Sequence, residues 1–123
     1  MYSMGRYKEI SAETASRERL LTMLFDCALK NIRLGAAALE AGEAGAKALT
    51  RASDIVIELH STLDRARAPD LCDRLGEIYR FVSLRLLRAA TVGDAQAARD
   101  AERVLSPVAE AFQQAAAAAG GAP

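Results

Sequence analysis

The sequence predicts an all-α protein, an antiparallel four-helix bundle with a short N-terminal arm. Alanine is abundant while Val, Ile and Thr are not prominent, and such a composition favours helix over sheet. Apolar residues recur in steps of three and four through four segments, each of roughly 20 residues, as in amphipathic helices. Helices about 30 Å long that are joined by short turns pack as an antiparallel bundle.

The chain divides into one folded unit and two terminal segments. Its 123 residues suit a single domain. Residues 1–15 show no clear apolar period, so we expect an N-terminal arm there. Residues 16–118 are predicted to form the bundle, and residues 119–123 a disordered tail, because the Gly-Gly-Ala-Pro end has little to bury.

Helix one is predicted from the N-cap Ser16 to about Leu39, with a turn at the two glycines that follow. It has two apolar stripes rather than one. The stripe expected to face the core is Leu21, Phe25, Ala28, Ile32 and Leu39. The second stripe, which we assign to packing against the arm or the bundle, is Leu20, Met23, Cys27 and Leu34.

Three further helices follow. Helix two is expected from about Ala46 to Arg65, helix three from Pro69, and helix four from about Ala95 to Ala117 with a kink at Pro107. Their predicted core positions are Leu49, Ala52, Val56, Leu59 and Leu63 in helix two, Leu71, Leu75, Ile78, Val82, Leu86 and Ala89 in helix three, and Ala98, Ala101, Leu105, Val108, Phe112 and Ala115 in helix four.

Charge and hydropathy exclude several classes of partner. The formal charge is zero, with 16 basic and 16 acidic residues and no basic stripe, so we expect no nucleic-acid binding. No apolar run approaches the roughly 18 residues of a membrane-spanning helix, and no signal peptide is visible. Cys27 and Cys72 form no CxxC motif and are expected to be buried free thiols. These features predict a cytoplasmic protein.

Motifs for catalysis or metal binding are not found. The single histidine, His60, has Ile57 three residues before it rather than a glutamate, and we expect it on a helix surface. Asp26 and Glu58 lie within helical patterns and are interpreted as ion-pairing surface groups. No nucleophile has a histidine at a suggestive spacing. We therefore expect neither a metal site, nor a cofactor, nor an enzyme.

Apolar side chains outside the core stripes remain to be explained. On helices two and three they are Ile57, Phe81, Leu84 and Leu87. Bundle tilt, packing of the arm or self-association would bury them, which leaves a self-associating helical adaptor as one reading. Alternatively, they line grooves that bind an amphipathic segment of a partner.

Three sequence blocks resemble the family of the flagellar secretion chaperone FliS. The first is the run from Glu13 to Ser16 with Leu20-Leu-Thr-Met-Leu-Phe-Asp-Cys-Ala-Leu29, preceded by Tyr7. The second is the run from Arg51 to Asp64, and the third is the run from Leu75 to Ala90. Together the blocks cover about residues 7 to 113. Departures from the family pattern include Arg17 after the cap serine, Cys27, Ala90, Phe112 and Pro107.

The resemblance implies a cytoplasmic export chaperone that binds the disordered C-terminal segment of flagellin and prevents its premature polymerisation. We take Ile57, Phe81, Leu84 and Leu87 as candidate partner-binding residues from their helical positions. The resemblance further implies an N-terminal arm that packs onto the bundle, here through Tyr7 and Ile10, and transfer of the client to the export gate protein FlhA. A weak homodimer is a further candidate assembly.

Overall fold

A computed structural model describes the backbone of residues 2–120 and the side chains of residues 17–118. It consists of four α-helices: α1 (Tyr2–Glu40), α2 (Ala46–Ser61), α3 (Pro69–Val92) and α4 (Ala95–Gly120). No strand occurs within residues 2–120. The predicted fold class, an all-α four-helix bundle, is confirmed.

The helices form a ring in which each one packs on two neighbours. The contacting pairs are α1 with α2, α2 with α3, α3 with α4, and α4 with α1. Connections 41–45, 62–68 and 93–94 are short, so consecutive helices are antiparallel neighbours. One end of the bundle, which we call the lower end, therefore contains three parts of the chain. They are the residues with which α1 enters the bundle, the connection 62–68 and the C-terminal part of α4.

Helix boundaries differ from the prediction at three places. Helix α1 begins at Tyr2 rather than at Ser16, because no proline between residues 1 and 16 interrupts it. Helix α2 ends at Ser61 rather than Arg65, where the Thr62 hydroxyl donates to the Leu59 carbonyl at 2.6 Å. Helix α4 reaches Gly120, two residues into the predicted tail; residues 121–123 lie outside the described part. The predicted roles of Tyr7 and Ile10 also concern side chains outside it.

The sharp turns use the residues that their geometry requires. Gly42 and Gly93 adopt φ values of 76° and 71°, in the left-handed region that glycine occupies without a steric cost. Pro69 opens α3 with Asp70 in its first turn, as predicted. The Asp94 carboxylate then accepts a hydrogen bond from the Ala97 amide at 3.1 Å at the start of α4.

A single apolar core runs along the bundle axis. Its largest fully buried side chains are Tyr79, Phe25, Ile32, Leu49, Leu59, Leu86, Leu105, Val56 and Val82. Most predicted core positions are confirmed, but two expectations were wrong. Leu71 is exposed because it lies in the first turn of α3 at the open lower end, and Ala115 is exposed near the end of α4. Tyr79 takes a central position that the prediction omitted, with its ring 6.5 Å from that of Phe25.

The two thiols differ, although both were expected to be buried. Cys72 is buried in α3, whereas Cys27 is exposed on α1. Cys27 lies on the second apolar stripe, which faces away from the core. Pro107 is accommodated within α4, which continues to Gly120.

Helices α1 and α2 approach each other unusually closely. A Cβ atom added at Gly35 would lie 2.4 Å from Leu49 Cγ, and one added at Gly45 would lie 2.5 Å from the Gly35 carbonyl oxygen. Leu49 is fully buried in the core, so an added methyl group would have to displace its side chain or push the two helices apart. Glycine at position 35 therefore sets the spacing of this helix pair.

Candidate functional site

The four side chains predicted to bind a partner are all exposed. The exposed fractions are 60% for Ile57, 44% for Phe81, 59% for Leu84 and 57% for Leu87. Neither bundle tilt nor packing within the described chain buries them. Large apolar side chains grouped on a surface mark candidate interaction sites.

The three residues of α3 occupy the side of the helix opposite the core. Buried positions Leu75, Val82 and Leu86 define the inner face, and Leu84 lies half a turn away by the 100° per residue of a helix. Phe81 and Leu87 lie on either side of Leu84. Phe81 is one turn before Arg85, whose guanidinium pairs with Asp100 of α4 at 3.0 Å. Phe81 therefore lies on the flank of α3 that is nearest α4, and Leu87 lies on the flank of α3 that is nearest α2.

Ile57 lies on the flank of α2 that faces α3. His60, one turn later on the same flank, has its ring 6.0 Å from that of Tyr79 in α3. Ile57 and Leu87 thus border the outer side of the α2–α3 seam, and Leu84 lies next to Leu87 on the outer face of α3. We call the surface formed by these three residues the α2–α3 groove. Phe81 belongs to the neighbouring flank rather than to this groove.

The second stripe of α1 is also exposed. Leu20, Met23, Cys27 and Leu34 lie within one narrow sector of the outer face of that helix. The described side chains of the bundle do not cover them, so packing against the bundle is not observed. Packing against the arm, whose side chains lie outside the described part, stays a prediction. Their exposure makes a second apolar surface, on a different helix from the α2–α3 groove.

A pocket of about 500 Å³ opens at the lower end of the bundle. Core side chains form its floor, among them Leu21, Leu75, Tyr79 and Phe112, while Arg17 and Arg67 lie at its rim. The Arg17 guanidinium donates to the Thr62 carbonyl oxygen at 3.0 Å, which ties α1 to the connection after α2. We call this cavity the end pocket; its size and apolar floor suit one or two large apolar side chains.

A second pocket of about 250 Å³ lies at the lower end of the α2–α3 groove. Its lining residues are His60, Leu63, Arg65, Cys72, Asp73, Gly76 and Arg80. The Arg65 guanidinium donates to the Asp73 carboxylate, and this hydrogen bond raises the pKa of Arg65. We call this cavity the lateral pocket.

The Tyr79 phenol lines the end pocket and is kept neutral by burial. Burial raises the pKa of the Tyr79 phenol to about 12, so it stays protonated at neutral pH. His60 is exposed, as predicted. Asp26 and Glu58 are exposed, as expected of surface groups. Asp26 accepts a hydrogen bond from Gln113 at 2.6 Å, and neither carboxylate forms an ion pair with a described side chain.

Other site chemistries find no support in the part of the chain that the structure describes. No group of three or more His, Cys, Asp or Glu side chains there could hold a metal ion. No described helix is long and apolar enough to cross a membrane.

Sequence reasoning found the apolar residues of the groove but missed both pockets. Arg65 and Arg80 lie in a region where arginines and acids alternate, a pattern typical of a solvated helix face. A usable signal was Gly76 within α3, because a glycine inside a helix frequently marks an open or closely approached position. A Cβ added there would meet only His60 Nε2, at 3.7 Å.

A helical bundle with large exposed apolar side chains on its outer faces is typical of a protein-binding module. The comparison with protein families specifies the module further. The model of the family described as flagellar protein FliS matches residues 1–119, and the chain belongs to this family of flagellar secretion chaperones. The family is one of chaperones rather than enzymes.

Three relatives support this assignment, each named flagellar secretion chaperone FliS. The Salmonella typhimurium protein is 36% identical over 115 residues, covering 88% of this chain and 85% of that protein. The Bacillus subtilis protein is 32% identical over 111 residues, covering 89% and 82%. The Vibrio cholerae protein is 27% identical over 118 residues, covering 91% and 87%.

Proposed function

We propose that this protein is a cytoplasmic export chaperone that binds the disordered C-terminal segment of flagellin and prevents its polymerisation before flagellar type III secretion. The observation that supports this most directly is the set of exposed apolar residues on the outer faces of α2 and α3, in a chain of the FliS family. A client segment covers them as it folds into helices along the bundle.

The extent of the apolar surface suits a disordered client. Ordering such a segment costs about 2–5 kcal/mol of the gross interaction energy, so several apolar contacts must be made together. The α2–α3 groove supplies Ile57, Leu84 and Leu87, and Phe81 adds an apolar side chain on the neighbouring flank of α3. The end pocket offers an apolar floor for a large side chain of the client.

The N-terminal arm regulates access in this proposal. Tyr7 and Ile10 cover part of the client surface in the free protein and leave it when the client binds. The loaded chaperone then passes its client to the export gate protein FlhA. Removal of residues 1–15 is therefore expected to accelerate client binding, as measured by stopped-flow fluorescence.

Isothermal titration with the C-terminal peptide of the cognate flagellin tests the client. Binding is expected at micromolar concentration or below, and no heat at high micromolar concentration would contradict the proposal. Leu84→Asp and Leu87→Asp should each weaken binding while the helical circular dichroism stays unchanged. Unfolding of either variant would place these residues in the structural core instead.

A self-associating adaptor without flagellin as client is the second candidate. The observation in its favour is the exposed stripe of Leu20, Met23, Cys27 and Leu34 on α1, which is separate from the proposed client groove. Light scattering discriminates between the two candidates. A stable dimer that is weakened by Met23→Asp, together with no binding of the flagellin peptide, would favour the adaptor.

A further inference from the structure

The lateral pocket is positioned to bind an anion at one end of the α2–α3 groove. Arg80 lines it together with His60 and Arg65, and Asp73 is the acid in its lining. Asp73 already pairs with Arg65. Arg80 forms no ion pair with any described side chain, so its guanidinium is available to a ligand.

The apolar residues of the groove and the charged residues of the pocket are aligned on both helices. Ile57 lies about one turn before His60 on α2, and Leu84 lies about one turn after Arg80 on α3. Because α2 and α3 are antiparallel, both apolar side chains lie on the same side of the pocket. A ligand in the groove therefore meets apolar contacts first and the guanidinium of Arg80 at its lower end.

The balance of charge selects the kind of anion. Two arginines and one lining carboxylate leave about one uncompensated positive charge at the rim, with His60 as a further donor. A single negative charge matches this better than a phosphate dianion. A planar carboxylate can also accept two parallel hydrogen bonds from a guanidinium.

We propose that the lateral pocket binds the free C-terminal carboxylate of the client, and so fixes the direction in which the client lies in the α2–α3 groove. This inference rests on the proposed function. The last residue of the client places its carboxylate against Arg80, and its side chain enters the space above Gly76, where nothing but His60 approaches within 4 Å. The residues before it follow Leu84 and Leu87 as an amphipathic helix.

Helix electrostatics favour the same direction. The C-terminal end of an α-helix has a partial negative charge from its unpaired carbonyl groups. A client helix that ends at the lateral pocket places this charge, in addition to its carboxylate, next to Arg80. The reverse direction would place the positive N-terminal end of the client helix against a guanidinium.

The test compares two versions of one peptide. A peptide of the C-terminal segment of the cognate flagellin is synthesised as the free acid and as the C-terminal amide, and each is titrated into the full chain by calorimetry. Hydrogen bonds to charged groups at a partly exposed site predict that amidation weakens binding about three- to ten-fold. Arg80→Gln should remove this difference between the peptides.

Arg74→Gln is the matched control. Arg74 is an exposed arginine on α3, about three turns before Arg85, and so on the flank that faces α4. The Arg74→Gln variant should preserve the full difference in affinity between the free-acid peptide and the amide peptide. Equal affinity of the two peptides for the wild-type chain, or an undiminished difference in Arg80→Gln, would overturn the carboxylate site alone. Failure of both peptides to bind would overturn the proposed function with it.

Discussion

Helices α4 and α2 are held in the bundle by different interactions. Ion pairs join α4 to both of its neighbours: Arg33–Glu102 and Arg99–Glu40 at 2.7 Å on the α1 side, and Arg85–Asp100 at 3.0 Å on the α3 side. No charged side chain of α2 forms an ion pair with a described residue. Helix α2 instead depends on its close approach to α1 at Gly35 and on four buried side chains.

This difference bears on the outer side of each helix pair. Charged side chains bridge α4 to both of its neighbours. The α2–α3 seam lacks such bridges between its helices, so Ile57 and Leu87 remain open to solvent beside it. Helix α2, which is held by steric fit, therefore has no ion pair with a described residue along the flank that borders the groove.

The largest expected effect concerns the close packing of α1 on α2. Gly35→Ala would place a methyl group 2.4 Å from Leu49 Cγ, and we expect a loss of about 1–3 kcal/mol in the free energy of unfolding by urea. Gly76→Ala is the control, because its Cβ meets only His60 at 3.7 Å. Alanine there should stabilise the chain by about 0.5–1 kcal/mol through helix propensity. Similar effects of both changes would refute the steric role of Gly35.

Aspartate substitutions on different helix flanks test whether the client binds in the α2–α3 groove. Ile57→Asp should weaken binding of the flagellin peptide at least about ten-fold, since a charge then replaces an apolar contact, whereas Phe81→Asp on the α4 flank should have a smaller effect. Met23→Asp on α1 is the control and should leave the affinity unchanged. Peptide titration with the three variants measures this order. A dominant effect of Phe81→Asp would move the client to the α3–α4 flank.

Removing an ion pair at α4 should have a moderate effect. Glu102→Gln breaks the contact with Arg33 and weakens that with Arg99, and we expect a loss of about 0.5–1 kcal/mol in unfolding free energy that shrinks at high salt. Lys47→Gln on α2, where no described ion pair exists, should change it by less than about 0.5 kcal/mol. Equal losses of unfolding free energy in Glu102→Gln and Lys47→Gln would contradict the proposed difference between α4 and α2.

The smallest effect is the response to acid. Hydrogen bonds from Arg33 to Glu102 and from Arg99 to Glu40 lower the pKa of both carboxyl groups. Their contribution is present above the pKa of the unfolded chain, near 4.5, and is lost as pH falls through the lower folded values. The thermal midpoint should therefore decrease below about pH 4. Glu102→Gln should show a shallower decrease; an identical pH profile would contradict this assignment.

Sequence periodicity was sufficient for the architecture but not for the ends of helices. The steps of three and four through Val56, Val82 and Leu105 predicted the core because burial repeats with the helical period. Ser16 was predicted to cap the first helix but lies inside α1. A residue that caps a helix well is also tolerated inside one when no proline follows. Leu71 has the correct phase for burial, yet no side chain within residues 17–118 covers it at the open lower end.

The apolar half of the candidate site was predictable and the polar half was not. Ile57, Leu84 and Leu87 are out of phase with the core, which is visible in a single helix. The lateral pocket depends on which arginine is already paired, and the Arg65–Asp73 contact joins a loop to a helix across eight residues. Such a pairing follows from the path of the connection 62–68, which periodicity does not determine.

Tyr79 gives the bundle an optical response to alkali. The chain has no tryptophan, and this phenol, at the centre of the core, has a pKa of about 12 against 10.0 for an ordinary tyrosine. Between these values the unfolded chain releases the proton more readily than the folded one, so stability falls as pH rises. Tyrosinate absorbance near 295 nm would then record opening of the core without any added label. The absorbance of the Tyr79→Phe variant, subtracted from that of the wild type, removes the contribution of the other tyrosines.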